Sequence, residues 1–379
     1  MMKYIDEFRD GRRARGVAGA IAAAADPGRT VRIMEFCGGH THAIARYGVE
    51  DLLPTAVRLV HGPGCPVCVL PMGRIDNAID LAGLPGVTLC TYADLMRVPG
   101  SRGRSLQAAR ARGADVRMVY SVEDVLAIAA ADPKREVVFL AIGFETTTPP
   151  TAHAIRRAAD EGLGNFSVFC NHVLTPAAIH GILDSRGSGD GAGVAIDAFI
   201  GPAHVSAVIG TRPYEVFAER YRRPVVIAGF EPLDVMQAVL MILRQIAAGR
   251  HEVENEYTRA VRREGNRKAQ TLVESVFEIR ESFEWRGLGF LPDSGLRIRD
   301  DFATFDAERR FAVPPLTSAD NKACECGAIL RGIRDPADCR LFGTACTPET
   351  PMGACMVSTE GACAAHWTYG RFRAARVEA

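Results

Sequence analysis

The sequence predicts an α/β protein: two doubly wound parallel-sheet domains facing each other across a cleft, followed by a helical, Cys-rich domain. Three observations carry this. Through the first two thirds of the 379 residues, apolar β-branched runs end in small-residue loops that lead into amphipathic helical stretches. Strands alternating with helices build parallel sheets. The repeat pauses near Pro133 and then resumes, which gives two halves. From about residue 235 the pattern gives way to mixed-charge helical segments and then to a loop-rich end. The expected domains are 1–130, 131–235 and 236–379.

In order, VRIMEF leads into CGGHTH and a helix. VRLVH leads into GPGCPVCVLP and MGRIDNAIDLA. VTLCTY and VRMVY are further strands, and EDVLAIAAAD is a helix. EVVFLAIGFE, FSVFCN, AIDAFIGPAHVS and PVVIAGFE are the strands of the second half, each with a following helix. SRGSGDGAG at 185–193 reads as an exposed loop, and HEVENEYTRAVRREGNRKAQTLVESVFEIRESF as helical. In open α/β sheets, ligands bind beyond the carboxyl ends of the strands. Cys37, Cys65, Cys68, Glu145, His204 and Glu231 all follow apolar runs directly and would line one cleft.

Lys plus Arg and Asp plus Glu both number 45, so the zero net charge argues against broad attraction to nucleic acid or an anionic membrane. The stretch MMKYIDEFRDGRRARG is charged and is not expected to act as a secretory signal. No apolar run approaches the roughly 18 residues of a membrane helix. A cytoplasmic protein is expected. No P-loop, G-x-G-x-x-G or G-x-S-x-G motif occurs.

Eleven cysteines, in a reducing compartment, point to metal or redox chemistry rather than structural disulfides. EFCGGHTH offers Cys37, His40 and His42 around a Gly-Gly turn. Thiolate and imidazole suit borderline and soft metals, and the plain alternative is a tight turn with a buried Cys. Cys65-Pro66-Val67-Cys68 brings two sulfurs within reach of one metal or of each other, and Gly62-Pro63-Gly64 stiffens the approach. A closed zinc knuckle would need a second such pair, and Cys37 supplies one thiol alone. Three thiolates with an open position suit a metal being built or passed on. Six cysteines crowd the forty residues from Cys324 to Cys363: Cys324-x-Cys326, then gaps of 12, 6, 8 and 7 residues. One iron–sulfur cluster or zinc takes four, leaving two for redox chemistry. A zinc ribbon with two spare thiols is the plain alternative. Glu145, His204, Glu231 and Asp234 read singly as caps or core residues, with His172 weaker still. Cys90 and Cys170 sit in apolar runs and read as core.

Taken together and in order, EFCGGHTH, GPGCPVC, GFETT, GPAHVS, GFEPLD and CECG…FGTACTP…PMGACMVSTEGACAA resemble the HypD family of [NiFe]-hydrogenase maturation proteins over essentially the whole chain. The resemblance implies two α/β domains plus an iron–sulfur domain. It also implies a scaffold on which the Fe(CN)2CO unit of the hydrogenase is assembled with a HypC-type chaperone. Cyanide would come from HypE, loaded by HypF, and the hydrogenase large subunit would be served indirectly. Carried onto this chain, Cys37, Cys65 and Cys68 would handle iron, with Cys65 and Cys68 cycling between disulfide and iron-bound dithiol. His40, His42, His204, Glu145 and Glu231 would orient or protonate incoming groups. By similarity to ferredoxin:thioredoxin reductase, Cys324, Cys339, Cys346 and Cys363 would hold a [4Fe-4S] cluster, and Cys326 with Cys355 would form the redox thiol pair. Two other readings compete: a cluster-dependent thiol–disulfide oxidoreductase and a zinc-stabilised binding module.

Overall fold

The computed structural model describes residues 2–3, 5–184, 195–318 and 320–371. The loop expected at 185–193 lies outside them. Among the described residues, nine strands form two parallel sheets: β1 Val31–Glu35, β2 Val57–His61, β3 Val87–Thr91, β4 Asp115–Met118, β5 Glu136–Gly143, β6 Phe166–His172, β7 Ala198–Pro202, β8 Val225–Ala228 and β9 Val253–Asn255. The first sheet runs β2-β1-β7-β8-β9 and the second β4-β3-β5-β6.

The grouping of strands differs from the expected division near residue 130. β3 and β4 join β5 and β6, and the chain then returns through β7 to complete the sheet begun by β1 and β2. Local patterning marks each strand but not its neighbour, and Pro133 is merely part of the turn before β5.

Period-2 alternation sorts the strand side chains into separate cores. On the first sheet Ile33, Ala198, Ile200, Val226 and Ala228 face the helices Gly11–Ala24 and Pro232–Ala247. On the second, Val137, Phe139, Ala141, Val168 and Cys170 face the helices Val122–Ala131 and Thr148–Asp160. The opposite faces share one central core, where Met34, Phe199, Val225 and Ile227 meet a cluster that also holds Val138, Leu140, Ile142 and Phe169. Cys90 and Cys170 are buried, as expected of core residues.

The long helical stretch expected over 251–283 is mostly not helical. Val253–Asn255 adds to the first sheet, and only Arg267–Val276 is helix, capped by Asn266. Phe277–Ile279 and Ser282–Trp285 are strands, each in an antiparallel pair. In both, apolar residues alternate with polar ones, a strand period rather than a helical one. Among the described residues the helices of the Cys-rich end are short turns, such as Cys326–Leu330 and Ala362–Ala365. Among the described residues, no helix is long and apolar enough to cross a membrane.

Candidate functional site

In the first sheet the chain leaves β1 towards β2 on one side and reaches β7 on the other, so the topological switch point lies between β1 and β7. Ligands of open α/β sheets bind at that point. Cys37 follows β1 and His204 follows β7. Cys37 Sγ lies 3.5 Å from His204 Nε2.

The Cys37 turn is built from below. Cys37 caps the helix Gly38–Tyr47, its sulfur accepting from Gly39 N at 3.3 Å. Glu35 is fully buried at the end of β1. It accepts from Cys37 N at 2.9 Å, from the Thr41 hydroxyl, and from His61 Nδ1 at 2.9 Å. His61 ends β2, so this carboxylate ties the root of one thiol loop to the root of the other. The loops also meet directly, with Gly38 N donating to Gly64 O at 3.2 Å. A Cβ on Gly64 would stand 2.3 Å from Cys37 N, so only glycine permits this approach.

Cys65 and Cys68 are joined in a disulfide and are 3 % and 0 % exposed. Burial, reinforced by Glu360, pushes the Cys37 thiol well above its ordinary pKa, so it is protonated at neutral pH. Burial holds His204 down to about 4, leaving a neutral imidazole beside the sulfur. The Phe230 ring packs against both His204 and His40, with centroids 5.1 Å and 4.8 Å away. His40 is buried and held down to about 4. Its Nε2–H donates to the carbonyls of Ala228 and Gly229, and its Nδ1 has no hydrogen-bond partner among the described residues.

The remaining expected residues lie elsewhere. His42 stacks on Tyr369, with Nε2 3.1 Å from its hydroxyl. Glu231 receives Arg9 through two hydrogen bonds, at 2.5 and 2.7 Å, and caps the helix Pro232–Ala247. Glu145 follows β5 in the second sheet, where Thr175 N and Oγ1 each donate to it at 2.8 Å. Burial pushes its carboxyl up to about 7. Tyr214, a buried phenol, lies within electrostatic reach of both Glu145 and Cys37.

Sequence reasoning missed Glu35, His61 and Glu360. Glu360 leans on the Cys37 turn, since a Cβ on Gly38 would meet its Cβ at 2.3 Å and its Oε2 at 3.0 Å. The available signals were a Glu two residues before Cys37 and a His opening HGPGC. Among the described residues, no three His, Cys, Asp or Glu side chains converge tightly enough for a single metal ion as they stand. With Cys65 and Cys68 bonded to each other, an iron site at this turn requires their reduction.

All six C-terminal cysteines line one apolar cavity together with Ile329, Leu341, Phe342 and Met356. Cys326 and Cys355 are disulfide-bonded there, while Cys324, Cys339, Cys346 and Cys363 are unpaired. Cys363 lies within electrostatic reach of Cys324, Cys339 and Cys346, and all four line the same cavity. A Cβ on Gly353 would stand 2.5 Å from Cys324 Sγ, so glycine keeps the backbone close to the sulfurs. Four unpaired soft donors in an apolar pocket fit an iron–sulfur cluster, whose ligands spread wider than those of a single ion.

The HypD family profile, described as the hydrogenase formation hypA family, matches residues 12–370. The chain belongs to the HypD family. It is 67 % identical over 372 residues to the hydrogenase maturation factor HypD of Rhizobium leguminosarum bv. viciae, covering 98 % of this chain and 97 % of that one. It is 64 % identical over 372 residues to HypD of Cupriavidus necator, covering 98 % of both chains. With HypD of Escherichia coli K12 it shares 46 % identity over 375 residues, covering 97 % of this chain and 98 % of that one. This HypD chain is therefore a hydrogenase maturation factor, a role that implies partner proteins.

Proposed function

We propose that this chain is the scaffold on which the Fe(CN)2CO unit of [NiFe]-hydrogenase is assembled, the iron being held at the Cys37 turn while cyanide and CO are attached. The observation that carries this reading is the Cys37–His204 contact at the switch point, with the Cys65–Cys68 turn hydrogen-bonded onto it. Two electrons and two protons convert the Cys65–Cys68 disulfide to two thiols, both supplied by the reduced Cys326 and Cys355 thiols as they close to a disulfide. Together with Cys37 these supply three soft donors for the incoming iron, and each thiol that binds releases its proton. His204, neutral and fixed by Phe230, accepts such a proton or orients an incoming group. His40 is anchored to two carbonyls and serves the turn through packing.

In the same proposal Cys324, Cys339, Cys346 and Cys363 hold a [4Fe-4S] cluster, which when bound supplies single electrons. Cys326 and Cys355 store an electron pair as two thiols. The partners are a HypC-type chaperone and HypE, itself loaded with cyanide by HypF, and the setting is the cytoplasm. A general oxidoreductase acting on protein disulfides fits less well. Exchange with a disulfide of another protein needs a sulfur open at the surface, and both sulfurs of Cys65–Cys68 are buried.

The test is infrared spectroscopy on the chain co-expressed with its partners. Wild type is expected to carry iron-bound cyanide and CO bands, and Cys37→Ala and Cys65→Ala to lose them while keeping wild-type circular dichroism. Bands retained in Cys65→Ala would overturn the iron-holding role. Zinc in place of roughly four irons per chain would overturn the cluster.

A further inference from the structure

Arg286 occupies the tip of the hairpin formed by Ser282–Trp285 and Gly289–Pro292, and it is 3 % exposed. Its backbone N–H donates to Val69 O at 2.8 Å and its Nε to Leu70 O at 2.9 Å, both just beyond the Cys65–Cys68 turn. The next residue, Gly287, has φ +79° and packs on the Cys326–Leu330 helix; a Cβ there would stand 2.4 Å from Gly327 Cα. The tip is thus pinched between the turn that carries one disulfide and the helix that carries half of the other.

The guanidinium itself is poorly matched. The nearest carboxylate oxygen, on half-exposed Asp320, is 3.6 Å from Nε, beyond a direct hydrogen bond. Its Nη2 is buried with no hydrogen-bond partner among the described residues. The other groups whose negative charge acts on it are Cys324, Glu284 and Asp76. A buried cation without a bonded counter-charge is costly unless negative charge accumulates beside it. The four-cysteine pocket is where such charge would accumulate, and it gains one more on reduction.

We propose that Arg286 is a positioning residue that sets the reduction potential of the four-cysteine centre, its fixed charge favouring the reduced state. The inference rests on the cluster reading above. Reduction potentials of such centres follow net charge and hydrogen bonding around the sulfurs, and a nearby buried charge acts strongly at low dielectric. Anchoring to Leu70 O holds the charge still relative to both thiol turns.

The experiment is a dithionite titration, followed by electron paramagnetic resonance, of the full chain purified anaerobically. Arg286→Met is expected to shift the one-electron equilibrium about tenfold towards the oxidised state, about 59 mV more negative. Arg286→Lys, which keeps the charge, should stay within threefold of wild type. Asp320→Asn should shift the equilibrium in the opposite direction. An Arg286→Met chain with wild-type circular dichroism and iron content but an unchanged midpoint would overturn the inference. Should that variant fail to fold, an unchanged midpoint in Asp320→Asn would do so instead. Wild type without iron or sulfide would instead refute the underlying reading.

Discussion

Cys37 and His204 lie 167 residues apart in sequence, yet their side chains touch. Both could be read from sequence, because thiols and imidazoles directly after apolar runs stand out. Which histidines converge could not. His40 and His42 are two residues apart on one helix, so roughly 200° separates their directions, and only one can face the sheet ends. Glu35 was invisible for the opposite reason. A Glu at a strand end normally reaches water, and its burial depends on β2 bringing His61 alongside. Glu145 gives a prediction at this scale. Its pKa is raised from an ordinary carboxyl value to about 7, so the folded state binds the proton more tightly than the unfolded one. The stability this confers is fully present below about 4.5 and is lost as pH rises through 7. Glu145→Gln keeps an acceptor for Thr175 and removes the ionisation. Urea denaturation should find the variant equal to wild type near pH 4.5 and more stable at pH 8 by up to about 3 kcal/mol. An identical pH dependence in both proteins would contradict the buried, protonated state.

Individual strands and helices were legible because β-branched runs and amphipathic stretches are local properties. The exception was the region after residue 250, where mixed charge suggested helix while alternating Phe and Trp positions favoured strands. The two thiol turns depend on backbone contact between elements, and Gly64 is the point of closest approach. Gly64→Ala is expected to force the turns apart, because the clash is with backbone and cannot be relieved by a rotamer change. The loss should be about 1–3 kcal/mol by chemical denaturation, the range of overpacked sites. Iron-bound cyanide and CO bands should weaken in proportion. A variant with undiminished stability and full bands would show that the loops need not touch.

Across the whole molecule the two sheets share a central core in addition to the outer core that each has to itself, and Trp285 is buried in the shared one. Unfolding of both sheets should therefore be a single transition, so Trp285 fluorescence in a Trp367→Phe background and far-ultraviolet circular dichroism should give one urea midpoint. Two separated midpoints would mean that the halves are independent. Trp367 belongs to the Cys-rich end, where its ring packs against Phe342 at the edge of the shared core. The interleaved sheets were beyond the sequence, because strand partnership is a long-range property that local pattern leaves open.

That interleaving has a bearing on synthesis. The second sheet is drawn from one continuous stretch, β3 to β6, and can close while the ribosome is still at work. The first must wait, with β1 and β2 lacking their neighbour, until β7 emerges some 140 residues after β2. Cys37 meets His204 only at that late moment, so a half-made chain can bring the two thiol loops together through β1 and β2 but lacks the imidazole beside Cys37.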